Sequence, residues 1–96
     1  MKVQMLYVNG KKAANQFIIT DGDRVIFQSY SSPIVEINYY NKTITVYRDW
    51  RYSTTTSKYR NLFMKHEGFY EVETTKDFEK HIKLGKVGGY AIVKAY

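Results

Sequence analysis

The sequence predicts an α+β fold: an antiparallel β-meander of about five to six strands with two α-helices, in the order β-β-β-β-β-α-α-β. Three observations carry that prediction. Residues 34–48 alternate apolar and polar side chains about Asn41-Lys42, the pattern of a hairpin with one buried face. The hydroxyl run Ser53-Thr54-Thr55-Thr56-Ser57 then changes the period, and Tyr59, Leu62, Phe63 and His66 follow at i, i+3, i+4 and i+7. Thr74-Thr75 opens a second such stretch, in which Phe78 and Ile82 stand one turn apart before Gly85.

Each element follows in chain order. Residues 2–8 read as a strand, and Asn9-Gly10 is the strongest short turn signal, because both residues tolerate positive φ. Gln16–Thr20 is the expected second strand, reached through Lys11–Asn15. Asp21-Gly22-Asp23 reads as a plain turn, since the later acidic ligands of a calcium loop are missing. Val25–Tyr30 is a third strand, ended by Ser31-Ser32-Pro33, where proline removes a donor. The hairpin Ile34–Tyr40 with Thr43–Arg48 supplies strands four and five. A two-residue loop Asn41-Lys42 would set Tyr40 opposite Thr43, Tyr39 opposite Ile44, and Ile37 opposite Val46. Val35, Ile37, Tyr39, Ile44 and Val46 then share an inward face, while Glu36, Asn38, Tyr40, Thr43, Thr45 and Tyr47 face outward.

The first helix should start at Ser53 or Thr54, because serine and threonine oxygens cap free N–H groups better than they serve helix interiors. Gly68 stands where a terminating glycine would. The second helix runs from Thr74 or Thr75 to about Leu84, with Lys76, Lys80 and Lys83 on the side away from Phe78 and Ile82. After Gly88-Gly89, Tyr90–Tyr96 is a last strand. Val35, Ile37, Ile44, Val46, Leu62, Phe63, Phe78 and Ile82 are the expected core.

Ninety-six residues with 44% hydrophobic and 25% charged content make one domain, residues 1–96. Without cysteine there is no disulfide and no thiolate metal site, and the N-terminus shows neither a signal peptide nor a membrane span; a cytoplasmic protein is expected. Ten tyrosines and a net charge of +6 point to a surface that meets polyanions or a protein partner, although tyrosine also serves as a strand residue.

Catalytic chemistry finds little support. His66 and His81 stand on or near the apolar sides of the helices, without a metal-ligand motif, and no serine occupies a G-x-S-x-G elbow. We expect no enzyme, no catalytic residue, no metal and no cofactor. The residues with local chemical logic surround the first helix start. Its N-terminus offers free N–H groups and a partial positive charge, Arg51, Lys58, Arg60 and Lys65 add full charges, and Trp50 and Tyr52 could stack on a base or fill a partner's pocket. An alternative has Trp50 as a core anchor and Tyr52 as a staple on the helix. Arg48, Lys76, Lys80 and Lys83 complete the candidate surface, the three lysines doubling as an ordinary solvated face.

Phe27-Gln28-Ser29-Tyr30-Ser31-Ser32-Pro33-Ile34, followed by Trp50-x-Tyr52-Ser53-x-Thr55-Thr56-x-Lys58-Tyr59-Arg60-Asn61-x-Phe63, resembles a family of small uncharacterised proteins of Gram-positive bacteria and their phages, over most of residues 5–86. The resemblance carries no assigned activity. It implies a host-directed accessory protein acting in the bacterial cytoplasm, including an inhibitor of a defence nucleoprotein in the manner of an anti-CRISPR. Three classes stay in view: an inhibitor that binds a host protein or nucleoprotein complex, a direct DNA- or RNA-binding protein, and, least, an enzyme. No membrane partner is expected, and a dimer through a free sheet edge is open.

Overall fold

Short turns organise the first half of the chain. A computed structural model describes residues 1–96, and in it Asn9 and Gly10 both take positive φ, 51° and 77°, the geometry that a two-residue hairpin between right-twisted strands requires. They join β1 (Lys2–Val8) to β2 (Lys11–Asp21). Two-residue turns at Gly22-Asp23 and Tyr30-Ser31 lead into β3 (Arg24–Ser29) and β4 (Ser32–Asn38), and β5 (Thr43–Val46) follows. The second strand thus begins directly at Lys11 rather than at Gln16. It stays paired by bulging, with residues 13–16 set against Leu6 alone. The fourth strand starts at Ser32, ahead of the expected Ile34; Pro33 lies opposite Gln28, and Ile34 is the extra residue of a second bulge.

The β4–β5 hairpin corrects the expected register. Ile37 lies opposite Ile44 and Asn38 opposite Thr43, so the loop is the four residues Tyr39–Lys42. Asn38 explains the longer loop: its Oδ1 accepts from the N–H of Tyr40 (3.0 Å) and of Asn41 (3.2 Å), closing a side-chain turn that the pattern of apolar residues does not reveal. The pairing moves by two positions, and an even shift leaves every side chain on its face. Val35, Ile37, Ile44 and Val46 are all fully buried.

Ser53 caps α1 (Thr54–His66), its side chain accepting from Thr56 N–H at 3.0 Å. The helix ends in a glycine motif. Gly68 N–H donates to Lys65 O and Phe69 N–H to Met64 O, a closure that needs the left-handed φ of 93° at Gly68. Thr74 caps α2 (Thr75–Leu84) in a reciprocal capping box with Asp77. The hydrogen bonds that Asp77 accepts hold its carboxyl below the usual range. Beyond Gly85, a two-residue strand β6 (Lys86–Val87) turns through Gly88-Gly89 into β7 (Tyr90–Lys94).

The strands form one mixed sheet in the order β1-β2-β3-β4-β5-β7-β6. The meander is antiparallel up to β5, as expected, but β7 pairs with β5 in parallel, an arrangement that needs a long crossover. Helices α1 and α2 are that crossover, and they cover one face. There Phe63 stacks on Phe27 with ring centroids 5.6 Å apart, and Phe69 meets Tyr90 edge-on at 5.1 Å. On the opposite face, Val3, Ile19, Ile26, Glu36, Thr45 and Val93 form one cross-strand row. No helix is long and apolar enough to cross a membrane.

The buried stripe of α1 is Thr56, Arg60, Phe63 and Met64. Leu62, expected in the core, is only half-buried, and His66 is exposed. Counting apolar residues misplaces the stripe because two of its four members are polar. We expect Phe63→Ala to cost about 3–5 kcal/mol and the half-buried Leu62→Ala about 1 kcal/mol, measured by urea unfolding; equal losses would show the stripe misassigned. Ser53→Ala should cost about 1 kcal/mol by the same measurement, through the lost cap.

Candidate functional site

The start of α1 and the β3–β4 turn meet along an open cleft of about 460 Å³. Tyr30, Ser31 and Ser32 form one wall; Asp49, Tyr52 and Thr55 form the other. A buried hydroxyl contact clamps the walls together. Ser29 Oγ and Thr56 Oγ1 lie 3.1 Å apart, and Ser53 Oγ donates to the same Thr56 oxygen at 3.2 Å. The segments quoted for the family resemblance, 27–34 and 50–63, therefore face each other here.

Two tyrosines flank the opening, Tyr30 at 55% and Tyr52 at 75% exposure. Tyr52 is thus no staple on the helix. Tyr30 has φ of 57°, a left-handed conformation that costs a bulky residue about 1–2 kcal/mol. It is held there because its N–H donates to Asn15 O at 2.7 Å and its carbonyl accepts from Gln28 Nε2 at 2.9 Å. An exposed ring gains little from burial to offset that strain. Backbone strain of this kind clusters at ligand clamps and switch regions. The Asp49 side chain, half-buried in the cleft, forms no hydrogen bond or ion pair within the chain, and no lysine, arginine or histidine lines the walls. The anion site expected at this helix start therefore has no cation among its lining residues.

Trp50 and Arg60 turn inward, which removes them from the candidate surface. Trp50 is 6% exposed and meets Phe78 edge-on at 5.5 Å. Arg60 is completely buried, its guanidinium 5.2 Å from the Trp50 ring centre and 4.8 Å from that of Phe78. Its N–H groups donate to Trp50 O, to Asn61 Oδ1 at 2.8 Å and to Thr75 Oγ1 at 2.9 Å. Burial, with Arg51 nearby, lowers its pKa to about 10, so it stays charged at neutral pH. Arg51 stacks on the Trp50 ring at 4.8 Å and pairs with Glu79 at 2.5 Å.

The other basic candidates divide between two places. Arg48 and Lys58 are exposed beside the cleft, Lys58 one turn after Thr55. Lys58 and Lys65 flank a shallow groove with Leu62 and Val72, while Lys76, Lys80 and Lys83 project from α2 around Glu79, to which Lys83 lies within 3.8 Å. The four-charge cluster expected around the start of α1 is thus reduced to Lys58 and Lys65, neither with an acidic partner. Tyr30, Ser31 and Asp49 lie outside the expected candidate set; the Gln28–Pro33 segment, read only as a strand end and for its family likeness, was the signal for Tyr30 and Ser31, whereas no local pattern marks Asp49.

Arg60→Ala should cost about 3–5 kcal/mol, because it leaves a cavity and unpaired acceptors, whereas Arg60→Met should recover most of that by keeping volume without a charge to desolvate. Urea unfolding followed through Trp50 fluorescence measures both. Since the folded-state pKa is depressed below the ordinary value, wild-type stability should gain a contribution from Arg60 as pH rises above about 10 towards the ordinary arginine range, one that Arg60→Met lacks.

No curated protein and no solved structure matches the chain. A family model spans residues 1–80, which include both walls of the cleft, Arg60 and the first turn of α2. On that match the chain belongs to a family of unknown function, DUF8033.

Proposed function

We propose that this protein is a non-catalytic accessory protein of a phage or mobile element, which acts by binding a host protein or nucleoprotein complex, a defence complex being the first to test. The supporting observation is the inward turn of Arg60 and Trp50. A direct grip on nucleic acid would draw on clustered cations and a stacking ring; here the ring is in the core, one arginine is buried and Arg51 is held by Glu79. What stays outside are Tyr30, Tyr52 and Arg48, residue types enriched in protein interfaces, with Lys58 nearby. The non-catalytic reading is supported by the histidines: neither lines the cleft, and His81 Nδ1 lies 3.2 Å from Lys86 O.

A second reading, direct DNA or RNA binding, rests on Lys58, Lys65, Lys76 and Lys80, which have no acidic partner within the chain. One experiment separates the two. Immobilised protein, challenged with host lysate with and without nuclease, should retain a protein partner after nuclease treatment. Tyr52→Ala should weaken the purified complex at least about tenfold. Loss of capture on nuclease treatment would overturn the reading, as would purified nucleic acid binding with a log–log salt slope that Lys58→Ala and Lys65→Ala each flatten by about 0.7–0.9.

A further inference from the structure

We propose that the cleft between Tyr30 and Tyr52 is a binding site for a neutral polyhydroxylated ring, a hexopyranoside. The cleft shares Tyr30 and Tyr52 with the partner-facing surface but also draws on Asp49 and the free hydroxyls of the two walls, which the partner-binding reading does not use.

Size comes first: about 460 Å³ lies within the ~300–1,000 Å³ typical of small-molecule sites. Charge then narrows the ligand. Asp49 is the one charged side chain among the lining residues, so a phosphate in the cleft would face a carboxylate, with the nearest cations, Arg48 and Lys58, outside the walls. An ammonium or guanidinium group would suit Asp49 but would also meet the positive end of α1, whose Thr54 and Thr55 N–H groups have no intrahelical acceptor. A neutral ligand that both donates and accepts satisfies the two together.

The remaining groups fit the same ligand. The side-chain hydroxyls of Ser31, Ser32 and Thr55 make no hydrogen bond within the chain, and each can donate and accept. The Asp49 carboxylate can accept from two neighbouring ring hydroxyls at once, and the first-turn N–H groups can donate to a third. The apolar C–H face of a sugar needs a flat hydrophobic surface. Tyr30 and Tyr52 supply two such surfaces at the mouth, already largely exposed, and Ile34 supplies an apolar floor.

The test is an amide-resolved NMR titration of the intact protein with the methyl pyranosides of glucose, galactose, mannose and N-acetylglucosamine. Inorganic phosphate, arginine methyl ester and uridine serve as the contrasting probes. The expected result is saturable shifts at Ser31, Thr54 and Thr55 with at least one glycoside, weakened at least about tenfold in Asp49→Ala and in Tyr52→Ala. The same spectra show whether each variant is folded, and Asp49→Asn, which keeps an acceptor, should restore part of the affinity. Absence of saturable shifts with every glycoside would overturn the proposal, as would tighter binding of phosphate, arginine ester or uridine at the same amides. The two readings fail separately: Asp49→Ala should keep the nuclease-resistant partner, and a site that takes no sugar leaves that capture unaffected.

Discussion

A single buried cation sets the geometry of the helical layer. Arg60 has no carboxylate partner. Its charge is accommodated by carbonyl, amide and hydroxyl oxygens and by the faces of Trp50 and Phe78. Those acceptors belong to three separate segments: the connection into α1, α1 itself, and the first turn of α2. A planar guanidinium can serve all three at once, which a lysine ammonium on its narrower head could not. The arrangement carries a desolvation penalty, so its contribution is to orientation more than to net stability. With Arg60 inside, α1 is rolled by roughly a quarter turn from the roll that its apolar residues alone would choose. That roll buries Thr56 and directs Thr55 into the cleft.

Features decided by neighbouring residues could be read from the sequence. The Asn9-Gly10 turn, the Ser53 and Thr74 caps and the Gly68 and Gly85 terminations depend on a few adjacent residues and on φ, and each stands where expected. The inward face of the β4–β5 hairpin was legible for a different reason: alternation survives a register error of two. The register itself depended on Asn38, a polar residue whose side-chain turn leaves no trace in a count of apolar positions. Arg60 and Leu62 were exchanged because hydrophobicity ranks leucine inward and arginine outward, and only the ring pair from other segments reverses that order. The parallel pairing of β5 with β7 joins residues some fifty positions apart, beyond any local signal.

The cleft was half legible. Ser53 and Tyr52 drew notice because they belong to a hydroxyl run with aromatic flanks, but the facing wall comes from a turn some twenty residues earlier. Tyr30 gave no compositional warning, since strain lies in its backbone. The groups that end the sheet turn and begin the helix also make the concavity, so the clamp between Ser29 and Thr56 is a structural contact and a wall of the site together.

The family match stops at residue 80, yet this chain's core continues past it through Ile82, Val87 and Ile92. In this chain the segment that follows also shields β5, whose outer backbone groups pair with β7. A relative that ends soon after the matched region would present β5, with its Thr-Ile-Thr-Val sequence, as a bare strand edge open to addition of a strand from another molecule. Members of one family could then differ in whether they stay single or join edge to edge, with the cleft unaltered.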